Sequence, residues 1–238
     1  CRPMKYTVTI DMAAIDVVAT LIDENQNQKV MHFPYEGMAF PTDPVTPDNI
    51  VNTLVDALAS MRADLPGEYD EIVEVRFATG IANGWFAMDE NFTPLTDVVS
   101  GGDNRAAKYV DALMINGIGG QLQRKTGLPM TATEPLVFTL WMKNERPEAY
   151  TNAAHFMGVL EYVTYRLFGL NIVDEALAAR TGYYNVAHKT WDVQALAVTG
   201  LTAEQLPEIV ADTEVKAPLL PEVMAKTGLN ADTVFYLR

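Results

Sequence analysis

The chain has 238 residues, 49% of them hydrophobic, which is enough apolar material for one large buried core or one and a half average domains. Its 31 acidic against 17 basic residues give a formal charge of −14, which disfavours nucleic acid or an anionic membrane as partner, because both attract basic faces. The single cysteine, Cys1, excludes an intramolecular disulfide framework and fits a reducing compartment, and no apolar run approaches the roughly 18 residues of a membrane span.

In chain order, "YTVTI" ending at Asp11 predicts a strand, "VVATLID" from Val17 a second, and "KVMHF" a third beyond the turn signal "ENQNQ". Three strands in so short a stretch predict an antiparallel start to a sheet. The period then changes: Thr46 suits a helix cap and Pro47 the first helical position. Ile50, Leu54, Ala57, Leu58 and Met61 make an apolar face. "EIVEVRFAT" and "GWFAMDEN" predict two more strands, the order of a mixed α/β domain with a central sheet and covering helices. From Asp103 helices dominate: "DNRAAKYVDALMING", "TEPLVFTLWMKNE", "PEAYTNA", and "GVLEYVTYRLFG" closed by Gly169. "TWDVQALAVTG" and "TAEQLPEIV" predict short helices, as does "LLPEVMAKTGL" before Gly228, and "DTVFYLR" is a final strand signal. The glycine clusters "SGGDN" and "GIGG" predict plain turns, since neither sits in a GxxxxGK[ST] or GxGxxG context.

A few residues carry candidate chemistry, each beside an ordinary structural role. Asp11, at the C-terminal end of the first strand, is placed to hold Mg²⁺ through water or to orient a hydroxyl, or simply to cap the following turn. Asp103 is a candidate helix cap, with Arg105 close enough to reach a substrate oxygen, and the two roles are compatible. Asn83 and Trp85 beside glycine suit a polyol site in which the indole stacks on a sugar face, or equally a turn dipeptide and a core ring. His32, His155 and His188 lack ligand spacing and predict no metal centre.

Taken in order, "IDMAAIDVVATLIDEN", "GWFAMDENFTPLTDVVSGGDNRA", "KTGLPM", "LWMKNERPEAY", "EYVTYRLFG", "VDEALAARTGYYNVAHKTWDVQAL" and "EQLPEIV" resemble the N-terminal domain of the FGGY carbohydrate kinases, most like the gluconokinase and xylulokinase branches. The resemblance covers roughly residues 5 to 235. It implies a ribonuclease H-like, actin-like ATPase domain: a mixed sheet flanked by helices, with a helix-rich second half. It further implies residues 4–232 as a sugar-binding domain, with residues 233–238 starting a truncated C-terminal ATP-binding domain. The expected activity is transfer of the γ-phosphoryl group of ATP, with Mg²⁺, to a hydroxyl of a gluconate-like sugar acid or a pentulose, in the cytoplasm. By the same resemblance Asp11 acts near Mg²⁺ and phosphate, while Asn83, Trp85, Asp103 and Arg105 shape the acceptor pocket. The expected catalytic base lies beyond the strand "TVFYL", so this chain is the substrate-binding half and inactive alone. A homodimer is compatible with the sequence, although no residue pattern argues for one.

The sequence departs from the family pattern where the chemistry is expected. The first-loop glycine falls on Ala13, its two hydroxyl residues on Ala14 and Ile15, its basic residue on Val18, and the substrate-segment histidine on Asn83. A tryptophan of the pattern falls on Gly101 and a lysine on Phe138, while Asp11, Asp103 and Arg105 match. These losses remove neutralising contacts and leave open a second reading, a catalytically degenerate kinase-like binding or structural protein.

Overall fold

The computed structural model describes residues 2–78, 84–98 and 103–238. The chain divides into two compact units, one formed by Cys1–Ile81, Val163–Leu170 and Asp212–Arg238, the other by Ala82–Tyr162 and Asn171–Ala211. The first unit opens with β1 (Lys5–Met12), in which Tyr6, Val8, Ile10 and Met12 face the core and Thr7, Thr9 and Asp11 the opposite side. β2 (Asp16–Ile22) returns antiparallel with Asp11 opposite Val18, and β3 (Gln28–Pro34) pairs antiparallel with β2. In the turn between β2 and β3, Asp23 accepts the backbone N–H groups of Asn25 and Asn27 at 2.8 and 2.9 Å, so the "ENQNQ" signal acts through an Asx turn. α1 (Pro47–Ala63) starts as expected, with the Asn49 amide donating to Thr46 Oγ1 at 3.1 Å and Pro47 in the first turn. Its apolar face, Ile50, Leu54, Ala57, Leu58 and Met61, is fully buried. β4 (Glu71–Ala78) then lies parallel to β1.

The second unit is helix-dense. β5 (Trp85–Met88) is followed by α2 (Ala107–Ile115), α3 (Ile118–Thr126), α4 (Pro135–Glu145) and α5 (Pro147–Asn152). β6 (His155–Gly158) pairs antiparallel with β5. The division between the units falls within α6 (Val159–Phe168), which ends at Gly169 with φ +76°. β7 (Ile172–Asp174), α7 (Glu175–Ala179), the two-residue strands β8 (Tyr184–Asn185) and β9 (Thr190–Trp191), α8 (Val193–Thr199) and β10 (Glu208–Val210) complete it. Trp85, Leu136, Phe138, Met142, Phe156 and Tyr183 belong to its core.

Two expectations fail here for local reasons. "GIGG" is not a plain turn: Gly117 takes φ +84°, but Gly119 and Gly120 lie inside α3. A Cβ on Gly119 would stand 2.5 Å from Met114 Sδ, so the glycine lets α3 start directly against the end of α2. "TAEQLPEIV" is not a helix but one 3₁₀ turn (Ala203–Gln205) and then β10. Pro207 pushes Leu206 into extended backbone, φ −108° and ψ 159°, which ends helical winding.

The chain then returns to the first unit with α9 (Pro221–Thr227), closed by Gly228 at φ +73°, and β11 (Val234–Tyr236), which pairs parallel with β4. The resulting sheet has the order β11-β4-β1-β2-β3. Parallel pairing on both sides of β4 and an antiparallel hairpin series at the other edge give the mixed sheet that the strand order predicts. Among the described residues no helix is long and apolar enough to cross a membrane.

Candidate functional site

In the first unit Asp11 lies one residue before the end of β1, on the sheet face shared with Val18, its cross-strand neighbour. Its Oδ1 is buried and has no hydrogen-bond partner among the described residues. A buried acceptor left unpaired costs free energy, on the order of 1–3 kcal/mol, unless a donor or cation meets it. The turn beyond it is tightly built. The Ala13 amide donates to the Asp16 carbonyl at 2.9 Å, and buried Tyr35 donates its hydroxyl to the Ala13 carbonyl at 3.0 Å. Burial, with Asp16 and Asp11 nearby, raises the Tyr35 phenol pKa, which keeps it a donor. Ala13, Ala14 and Ile15 are absent from the non-glycine residues with positive φ, Gln26, Phe92 and Lys189, so alanine fits this turn without strain. Ile15 is 44% exposed, hence no packing requirement put an apolar side chain there.

In the second unit Asp103 and Arg105 are brought together. Arg105 Nε donates to Asp103 Oδ1 at 2.9 Å and Nη2 to Oδ2 at 2.8 Å, a two-pronged pair, while the Arg105 amide also donates to Oδ1 at 2.9 Å. The hydrogen bonds from Arg105 hold the Asp103 carboxyl below the usual carboxylate range, so it remains charged. Asp103 does not cap α2, correcting that expectation: the helix begins at Ala107 with no side-chain cap, and the Asp103 oxygens are occupied by Arg105. The guanidinium also lies over the Trp141 ring of α4 at 5.2 Å. The result is a half-exposed patch with a fixed acceptor and a fixed donor side by side, suited to polyol hydroxyls.

Trp85 contributes differently from the stacking platform expected of it. It is 2% exposed, its Nε1 donates to Thr139 Oγ1 at 2.8 Å, and it packs between Phe156 and Tyr183. A ring this buried leaves no face for a sugar. Asn83 lies outside the described residues, as does Gly101. Asp11 belongs to the first unit and the Asp103–Arg105 pair to the second.

Two buried carboxyls of the second unit were not singled out from sequence. Glu134, just ahead of Pro135, is 8% exposed, and burial pushes its pKa up to about 8 against a backbone hydrogen bond from Thr131. Glu161, in the first turn of α6, is driven up to about 7 mainly by burial, with Asp174 adding to the rise. Each packs against a glycine: a Cβ on Gly182 would stand 2.0 Å from Glu134 Oε1, and one on Gly158 would stand 2.5 Å from Glu161 Oε2. No spacing rule marks them, because a glutamate at a helix start is an ordinary surface pattern.

A mixed sheet of this order, a carboxylate near the end of its first strand and a helix-dense second unit define a domain of the actin-like sugar-kinase class. Residues 7–236 match the FGGY family of carbohydrate kinases, N-terminal domain, and the chain belongs to that family. Gluconokinase of Bacillus subtilis (strain 168) is 27% identical over 235 residues, 98% of this chain and 45% of its own length. Xylulose kinase of the same organism is 26% identical over 98% of this chain and 47% of its own. Among solved structures, gluconate kinase from Lactobacillus acidophilus superimposes with a TM-score of 0.86 at 26% identity, over 98% of this chain and 47% of that one. The chain thus spans about half the length of the curated relatives it matches.

Proposed function

We propose that this chain is the acceptor-binding half of an ATP-dependent carbohydrate kinase that phosphorylates a hydroxyl of a gluconate-like sugar acid or a pentulose. The observation that carries the reading is the buried, unpartnered Asp11 Oδ1 near the end of the first strand of an FGGY domain. Among the described residues no cluster of three or more His, Cys, Asp or Glu side chains could hold a metal ion alone. That fits Mg²⁺ held by one carboxylate together with substrate phosphates, and Asp11 is the residue that would hold it. Bound Mg²⁺ would supply neutralisation of charge on the transferring phosphoryl group. Asp103 would accept acceptor hydroxyls and Arg105 would donate to acceptor oxygens, each fixed by the other. Trp85 would act from behind, through Thr139 and α4, and Asn83 would complete the pocket. Residues 4–232 would be the sugar-binding domain, with residues 233–238 leading into an ATP-binding domain of a cytoplasmic enzyme whose half-chain is inactive alone.

The test is ATP-dependent phosphorylation of gluconate and pentuloses by the full-length polypeptide. We expect turnover on at least one of them, and loss of about a hundredfold or more for Asp11→Asn with the melting temperature unchanged. A folded full-length protein without turnover on any polyol overturns it. Ala13, Ala14, Ile15 and Val18, which stand where the family pattern carries glycine, hydroxyls and a cation, favour one other reading, a kinase-derived binding protein. Calorimetry separates them: sugar binding with no heat from Mg·ATP supports the second reading and excludes the first.

A further inference from the structure

We infer that the second unit carries a separate phosphate-binding site in a cavity of about 590 Å³ between α3, the β8–β9 hairpin and the start of α8. That volume lies in the range of small-ligand pockets. The chain as a whole is strongly acidic, yet Arg124, Lys125 and His188 line this cavity and, among the described residues, no Asp or Glu does. The basic groups come from two walls held in fixed relation. The Val186 amide donates to the Lys125 carbonyl at 2.9 Å and pins the hairpin to the end of α3. Within the hairpin the His188 amide donates to Asn185 Oδ1 at 3.0 Å, and the Lys189 amide donates to the Asn185 carbonyl at 2.8 Å with Lys189 at φ +55°. The turn that presents His188 is therefore specified by its own hydrogen bonds.

The cations differ in availability. Lys125 donates to Asp192 at 3.0 Å and to Gln194 at 2.8 Å, and so is spent on the floor of the cavity. Arg124 makes no ion pair, and the His188 ring no hydrogen bond, among the described residues. Basic residues in a last helical turn ordinarily answer the helix dipole, and that role explains Arg124 without a cavity. It does not explain the imidazole of His188 lining the same cavity from the hairpin, nor the absence of a carboxylate from the lining among the described residues. Arg124 from α3 and His188 from the hairpin, both with N–H groups to offer, suit a group with acceptor oxygens on several sides, which a phosphate presents and a planar carboxylate does not. Gly127, at φ +76° with nothing within 4 Å of a would-be Cβ, leaves the floor open beside them.

The experiment is calorimetric titration of the chain with inorganic phosphate, a hexose phosphate and, as the carboxylate control, gluconate. We expect binding of at least one phosphate probe that weakens as salt is raised. Tighter binding of the hexose phosphate than of free phosphate would assign the site to a phosphate ester. Arg124→Gln should weaken it about tenfold or more, His188→Gln should weaken it less, and Arg105→Gln, in the patch assigned to the acceptor, should leave it unchanged. No phosphate binding, binding indifferent to Arg124→Gln, or an equal and Arg124-dependent response to gluconate overturns the inference. None of these outcomes depends on kinase activity.

Discussion

Glu134 illustrates how much one side chain can decide. No cation answers its carboxyl among the described residues, and the bare backbone of Gly182 fills the space against it. Folding therefore favours the protonated acid. Its pKa is about 8 in the fold against 4.5 for an ordinary glutamate, so between those values the folded chain holds a proton that the unfolded chain has released. Stability from this group is fully present below pH 4.5 and falls as pH rises toward about 8. Glu161 works in the same direction over the narrower span up to about 7. Thermal unfolding followed from pH 5 to 8 should show a falling midpoint, and Glu134→Gln, which keeps the shape and cannot ionise, should flatten the slope. An unchanged slope in the variant would remove Glu134 as its source.

At the scale of elements, α1 shows what a sequence states openly. Cap, proline and apolar stripe are all local signals, and all three take their predicted places. Thr46→Ala should cost about 1 kcal/mol by removing the hydroxyl that accepts the Asn49 amide, measurable as a shift in the denaturant midpoint with the slope unchanged. α3 and β10 were not legible in the same way. The Gly119–Gly120 pair reads as a turn until the close approach of α2 is known, and β10 exists because Pro207 and pairing with β7 override a helical composition. The site divides along the same line. Asp11, Asp103 and Arg105, the residues proposed for it, are singled out by position along the chain. The contacts that keep Asp103 from α2 come from Arg105, two residues on, and compete with the cap locally, whereas the burial of Trp85 and of the Glu134 carboxyl depends on neighbours distant in sequence.

At the scale of the whole molecule, the departures of the first turn from its family pattern and the integrity of the fold are independent facts. Ala13 through Ile15 form an unstrained, hydrogen-bonded turn, Tyr35 supports it from beneath, and the sheet continues through Asp11 without a break. A domain can therefore keep its architecture while its first turn changes composition. Retention of the fold therefore carries no information on whether the full-length polypeptide turns over.

The first unit is assembled from three separate stretches of chain, and Thr233 reaches back to the Ile72 carbonyl across 161 residues. During synthesis on the ribosome, β4 must therefore wait with one edge unpaired until Val234–Tyr236 have emerged. The second unit lies between the two partners in sequence and has all its strands by Val210. Long-range parallel pairing of this kind is slow and exposes an edge meanwhile. Released chains truncated at residue 211 should resist protease across the second unit while remaining cleavable at β4, and equal protection of both would rule out that order of maturation.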